Sequence, residues 1–211
     1  DAAYNYTKLS YEIGNPFQSV PEVLSQFLKN YSNHPNKTEI QNLLINSYIT
    51  SKNYREALTL LENNKSFENK VAYQKVTFYL GLESYTNGKY KEAMDLFQKS
   101  LSEPRSPKFT ARATFWKAET EFGQTNFNEA LLSFKQYQNS AEAATTPEFK
   151  NLDYHLGYAY FKLKDYEKAA TSFEQFLTKE KKDKVLINDT YLRLGDSQFV
   201  SAKYWPAMES Y

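Results

Sequence analysis

The chain has 211 residues with 26 Lys plus Arg against 25 Asp plus Glu, and this near-zero balance gives no general attraction for nucleic acid or an anionic membrane. It has no Cys, and its two histidines lie far apart in the sequence, so disulfides, thiolate chemistry and a metal site are not expected. No apolar run approaches the roughly 20 residues that a membrane-spanning helix needs, so we expect no membrane insertion.

A short pattern of residues recurs along almost the whole chain. It consists of an aromatic residue, an alanine three positions later, and an aromatic residue or leucine four positions after that. A degenerate copy, Phe17-x-x-Val20-x-x-x-Leu24, comes first, and the five clear copies begin at Tyr54, Tyr90, Phe127, Tyr166 and Tyr204. The leading aromatics are 36 to 39 residues apart. Repetition at this period predicts a solenoid of small units that each contact their neighbours.

Each period predicts two helices joined by a tight turn. In the first unit, Pro21 lies beyond the start of the second helix, and we expect it to distort that helix. In the fifth unit, apolar residues at helical spacing predict helices at 151–163 and 166–178. A charged connector follows at 179–184, and Asp189 can cap the next helix.

Small residues recur in step with the aromatics. Gly81, Ala118, Gly157 and Gly195 each lie nine residues before the leading aromatic of their unit. If these positions face the alanines that follow the aromatics, the two helices of a unit can approach closely, with the aromatic rings filling the wider gaps.

These features resemble the tetratricopeptide repeat, a helix–turn–helix unit of about 34 residues with Leu-Gly, Tyr, Ala and Phe signatures. Leu156-Gly157-x-x-Tyr160 and Tyr166-x-x-Ala169-x-x-x-Phe173 carry the match most fully. The resemblance implies an all-α fold, a right-handed α-solenoid of antiparallel helix pairs. The chain would be a single array over 1–211, with repeats at about 1–37, 38–73, 74–110, 111–149, 150–187 and a truncated 188–211. The sequence departs from the family at Lys117 and Glu121, which replace residues that the family usually packs.

Segment 23–31 also resembles repeats of bacterial envelope proteins, such as the outer-membrane assembly lipoprotein and the Tol–Pal-associated periplasmic protein. This resemblance implies a location in the bacterial periplasm or outer-membrane envelope. The chain does not begin with Met and stops inside a predicted helix, so we expect an excerpt of a longer bacterial protein.

The family resemblance further implies that the first helix of each repeat lines a concave groove for a peptide or partner protein. The predicted groove residues are Lys75, Phe78, Tyr79, Arg112, Phe115, Trp116, Glu119, Asn151, Tyr154, His155, Tyr158 and Arg193. Aromatic residues and Arg are the types that dominate binding hot spots. Packing alone equally explains Phe78, Phe115 and Tyr154, whereas it explains Trp116 and His155 less well, which makes those two the better candidates. Self-association would use the same residue types.

The sequence therefore predicts a non-catalytic protein–protein interaction or scaffold module, not an enzyme, and with no cofactor. It contains no phosphate-binding glycine loop, dinucleotide-binding motif or nucleophile elbow. One alternative is an RNA-binding helical repeat, which requires a basic groove, whereas the predicted groove mixes Glu119 with Lys75 and Arg112. Another is an accessory repeat domain of an enzyme whose catalytic domain lies outside this chain.

Overall fold

The computed structural model describes residues 2–63 and 66–211, and within these ranges the chain is helical, without strands. The prediction of an all-α fold of helix pairs is confirmed. The α-helices of the described ranges are α1 (Ala2–Ile13), α2 (Val20–Asn30), α3 (Lys37–Thr50), α4 (Tyr54–Glu62), α5 (Phe67–Thr86), α6 (Tyr90–Ser102), α7 (Pro107–Gly123), α8 (Phe127–Gln138), α9 (Leu152–Lys162), α10 (Tyr166–Lys179), α11 (Lys184–Val200) and α12 (Tyr204–Ser210). Two short 3₁₀ helices, Ala143–Thr145 and Pro147–Asn151, lie between α8 and α9.

The chain divides into two compact units, Asp1–Leu80 and Gly81–Tyr211, and the division falls within α5. The helix pairs follow the predicted repeats in order, although α5 begins at Phe67, α7 at Pro107 and α11 at Lys184, all before the predicted boundaries at 74, 111 and 188. In the second unit α6 to α12 pack in sequence order, each against the next. The single array over 1–211 remains a prediction.

Five of the helix pairs share the same turn. The residue two positions before the leading aromatic has a positive φ between 59° and 71° in each case, at Lys52, Gly88, Thr125, Lys164 and Ala202. In the fifth pair the Lys164 N–H donates to Phe161 O at 3.0 Å and the Asp165 N–H donates to Tyr160 O at 3.0 Å. These paired bonds form a Schellman motif, which satisfies the last carbonyls of the first helix and reverses the chain so that the second helix runs antiparallel to it.

The leading aromatic is the first residue of α4, α6, α8, α10 and α12, as the recurring pattern predicts. The alanine three positions later is buried in all five helices. A Cβ added at Gly81, Gly157 or Gly195 would lie nearest to the ring that closes the pattern of its unit. A Cβ at Gly157 would lie 2.5 Å from Phe173 Cε1, and one at Gly81 would lie 2.6 Å from Phe97 Cε1. The small residue therefore makes room for an aromatic ring sixteen positions later.

In the first repeat, the predicted register of the pattern is wrong by three residues. Phe17 is 90% exposed and lies in the connection before α2, which begins at Val20. The buried positions follow Val20-x-x-Val23-x-x-x-Phe27, with Val23 and Phe27 each 3% exposed. The connection is three residues longer than in the other pairs, which explains why Phe17 seemed to fall in phase.

Two predictions about the first turns of helices are also wrong. Pro21 is the second residue of α2, where its missing N–H leaves no helical hydrogen bond unmade, so α2 runs regularly to Asn30. Asp189 lies inside α11, and the cap of that helix is Asp183, whose side chain accepts from the Leu186 N–H at 3.2 Å. Because Asp189 does not cap the helix, its carboxylate can accept hydrogen bonds from side chains of α9.

The unusual polar positions of the fourth repeat, Lys117 and Glu121, contact each other. Lys117 Nζ lies 2.5 Å from Glu121 Oε1 and donates to Ser133 Oγ of α8 at 2.9 Å. Glu121 and Ser133 are both buried. A charged pair bonded to a hydroxyl therefore takes the place of the apolar contact expected between α7 and α8.

Candidate functional site

The first helices of the second unit are joined from repeat to repeat by hydrogen bonds from aromatic side chains to carboxylates. Tyr154 and Tyr158 of α9 both donate their hydroxyls to Asp189 of α11, the Tyr154 bond measuring 2.9 Å. Arg193 Nε donates to Tyr158 Oη at 3.2 Å. Tyr85 of α5 donates to Glu119 Oε2 of α7 at 3.2 Å. A polar layer therefore runs across neighbouring first helices.

The partners of Glu148 explain two of the predicted groove residues, Arg112 and Trp116. Arg112 Nε and Trp116 Nε1, both on α7, donate to Glu148 Oε1 at 2.8 Å and 2.9 Å. Glu148 is 8% exposed and lies in the second 3₁₀ helix, just before α9. A buried carboxylate needs such charged and polar donors, so these side chains fix the connection between the fourth and fifth repeats.

His155 is likewise engaged within the chain. Its Nδ1 lies 2.6 Å from Glu119 Oε1, and its ring meets Phe115 edge-on at 5.1 Å between centroids. Contacts within the chain therefore explain Trp116 and His155, contrary to expectation, because each has defined partners. Their contribution to binding remains a prediction.

The other predicted groove residues lie in different surroundings. Phe78 is fully buried and Phe115 is 3% exposed, so the packing interpretation applies to both. Tyr79 stacks on Tyr54 at 5.1 Å, with the half-buried Lys75 on the same helix of the first unit. Asn151 ends the 3₁₀ helix before α9, and its Oδ1 is buried.

A pocket of about 360 Å³ lies beside the polar layer of the second unit. We call it the aromatic pocket. It is lined by Tyr85, Tyr90, Glu119, Phe122, Gly123, Tyr154, His155 and Tyr158. Four of these residues, Glu119, Tyr154, His155 and Tyr158, are among the predicted groove residues. The other four, Tyr85, Tyr90, Phe122 and Gly123, lie at repeat positions that the family resemblance does not mark as groove positions.

Three tyrosines of the pocket, Tyr85, Tyr154 and Tyr158, have a raised pKa. Burial, together with the nearby Glu119 carboxylate, raises the pKa of the Tyr85 phenol. Burial and the hydrogen bond to Asp189 raise the pKa of Tyr154, and the same causes raise that of Tyr158. These phenols therefore act as hydrogen-bond donors and as aromatic faces at physiological pH, and Glu119 supplies the negative charge of the lining.

Across residues 2–63 and 66–211, no cluster of three or more His, Cys, Asp or Glu side chains is arranged to hold a metal ion. No helix in the same ranges combines the length and the apolar character needed to cross a membrane.

Antiparallel helix pairs with Schellman turns and a small residue facing an aromatic ring define a helical-repeat protein of the kind that typically serves as a protein–protein interaction scaffold. Residues 152–182, which include α9 and α10, match the family model of the tetratricopeptide repeat. The chain therefore contains a tetratricopeptide repeat and has the tetratricopeptide-repeat fold, which is typically non-catalytic.

Several solved structures share this fold. MamA from Desulfovibrio magneticus RS-1, from residue 41 to its end, superposes with a TM-score of 0.58 at 17% identity, covering 82% of this chain and 89% of the other. The C-terminal part of a repeat-containing protein from Cytophaga hutchinsonii gives 0.58 at 20% identity, covering 98% and 76%. BtubC from P. vanneervenii gives 0.57 at 12% identity, covering 100% and 88%. No curated protein sequence matches the chain. At these identities the likeness establishes the fold alone.

Proposed function

We propose that the second unit, residues 81–211, is a non-catalytic module that binds an extended segment of a partner protein along the face of its first helices. The observation that carries this proposal is the aromatic pocket, which opens on that face and combines aromatic rings with a carboxylate and hydroxyls. Partner recognition favours such rings because they bury a large area while losing few rotamers.

The polar layer supports the same function. Tyr154, Tyr158 and Glu119 are fixed by hydrogen bonds between repeats, so a partner would meet side chains already held in place. Binding to a preorganised surface saves the entropy of ordering it. The carboxylates of this face, Glu119 and Asp189, disfavour the phosphate backbone of a nucleic acid, and the RNA-binding alternative therefore receives no support.

The test is selection of peptides on the immobilised chain from a random peptide library displayed on phage, followed by binding to two variants. Gly123→Gln adds a side chain at the pocket edge, where a Cβ would lie 3.0 Å from Tyr90 Cζ. Ala144→Gln is the matched control, since it adds the same side chain at an exposed position outside the pocket. Circular dichroism would establish that both variants are folded.

We expect selected peptides to bind Ala144→Gln as they bind the unmodified chain, and Gly123→Gln at least about tenfold more weakly. Failure to select any peptide, or equal binding to both variants, would refute recognition through this face.

A further inference from the structure

The lining of the aromatic pocket indicates which chemical group of the partner enters it. This inference rests on the proposed function. We propose that it receives a cationic side chain, the ammonium of a lysine or the guanidinium of an arginine, from the bound segment of the partner. Three properties of the lining point to this chemistry.

The first property is the arrangement of the rings. Tyr154 and Tyr158 are 5.0 Å apart between centroids and inclined at 60°, and Tyr85 and Tyr90 are 5.4 Å apart and inclined at 55°. Phe122 meets Tyr158 at 90°. None of these pairs is stacked flat, so the two rings of a pair do not cover each other face to face. Ring faces carry the negative part of the aromatic quadrupole and attract cations within about 6 Å of the centroid.

The second property is the charge of the lining. Its eight residues include one carboxylate, Glu119, and neither Lys nor Arg. The Glu119 oxygens accept from Tyr85 Oη and face His155 Nδ1, but a carboxylate has about four acceptor positions, so it can also accept from a ligand cation. Glu119 is the acidic side chain of the lining, and the raised pKa of the Tyr85, Tyr154 and Tyr158 phenols keeps these three side chains uncharged.

The third property is the cost that the lining imposes on other occupants. An anionic side chain would be repelled by Glu119, whose side chain is 13% exposed. An apolar side chain would cover this carboxylate without compensating its charge, which is unfavourable for a group removed from water. A cation both compensates the carboxylate and contacts the ring faces.

The test uses the unmodified chain and four capped tripeptides, acetyl-Gly-X-Gly-amide, in which X is Lys, Arg, norleucine or Glu. Binding would be followed by NMR through the Gly123 amide, which lies in the lining, and the Trp116 indole N–H, whose ring is 5.2 Å from that of Tyr85. We expect the Lys and Arg peptides to shift both resonances. The norleucine peptide should bind about three- to thirtyfold more weakly, and the Glu peptide should not bind.

Glu119→Gln should weaken binding of the Lys peptide by a similar factor. Glu129→Gln, at an exposed position of α8 outside the pocket, should leave this binding unchanged. If Glu119→Gln does not fold, the comparison of Lys with norleucine on the unmodified chain decides the matter.

Equal binding of the Lys and norleucine peptides, or absence of any binding by the Lys and Arg peptides, would overturn the inference. The proposed function would survive either result if phage-selected peptides still lose affinity for Gly123→Gln. If that variant binds them normally, both proposals fail.

Discussion

Replacing Gly157 by Ala tests whether the small residue of the first helix is required by the ring that closes the pattern. The new Cβ would lie 2.5 Å from Phe173 Cε1 and 2.6 Å from Cδ1, about 1 Å inside ordinary carbon contact. Phe173 is fully buried, so its ring cannot turn into solvent to avoid the new methyl group. Overpacking costs about 1–3 kcal/mol, and so short a contact belongs to the upper part of that range, about 2–3 kcal/mol. The better helix propensity of Ala returns about 1 kcal/mol. We expect a net loss of about 1–2 kcal/mol in the free energy of unfolding.

A double-mutant cycle isolates this contact. The free energy of unfolding would be measured by urea denaturation, followed by circular dichroism, for the unmodified chain, Gly157→Ala, Phe173→Leu and the double variant. Because leucine removes the ring atoms that the new methyl group would strike, Gly157→Ala should be neutral or stabilising in the Phe173→Leu background. The coupling energy should be at least about 1 kcal/mol. A Gly157→Ala variant as stable as the unmodified chain, or additive effects of the two changes, would refute the reasoning.

Three further predictions follow from the turn, the buried carboxylate and the phenols. Thr125→Gly should raise the free energy of unfolding by about 0.5–1 kcal/mol in urea denaturation, because a positive φ is strained for a β-branched residue, and Gly88→Ala should lower it. Glu148→Ala should lower it by about 3–5 kcal/mol in the same assay, since it removes a buried acceptor from two donors. Above about pH 10 the phenols of the unfolded chain ionise while Tyr85, whose pKa is raised, stays protonated, so stability should fall with rising pH. Urea denaturation at a series of pH values should show a loss of up to about 1.4 kcal/mol per pH unit from this residue, and Tyr85→Phe should make the slope shallower.

The sequence predicts the five regular helix pairs because their turn aromatic, buried alanine and closing ring recur in phase, and the structure places each of these where the pattern indicates. It fails in the first pair because Phe17 has the right residue type at nearly the right spacing, yet lies in a longer connection. Periodicity alone cannot distinguish an insertion in a turn from a degenerate repeat. The first helices show a related limit, since spacing identifies the glycines but does not identify the ring that each of them accommodates.

The candidate site is less predictable than the fold. The phase of the repeat identifies the groove positions of the first helices, and four of the predicted residues do line the aromatic pocket. Tyr90 and Phe122 also line it, but from positions that serve packing in every repeat. Phase also cannot show which polar side chains already have partners. Trp116 and His155 looked available in the sequence, whereas Glu148 and Glu119 engage them from 32 and 36 positions away. Such contacts depend on how adjacent repeats are rotated, which a single sequence does not specify.

Because the aromatic pocket is built from contacts between repeats, its occupancy and the stability of the second unit should be linked. Glu119 of α7 faces Tyr85 of α5 on one side and His155 of α9 on the other, so it joins three successive first helices. A cation that binds this carboxylate requires all three in place and therefore binds the folded unit alone. At about ten times its dissociation constant, such a ligand raises the free energy of unfolding by about 1.4 kcal/mol. The Lys peptide should thus raise the free energy of unfolding in urea, and the norleucine peptide should raise it less. Ligand binding at a site formed within a single repeat would not depend on the neighbouring helices.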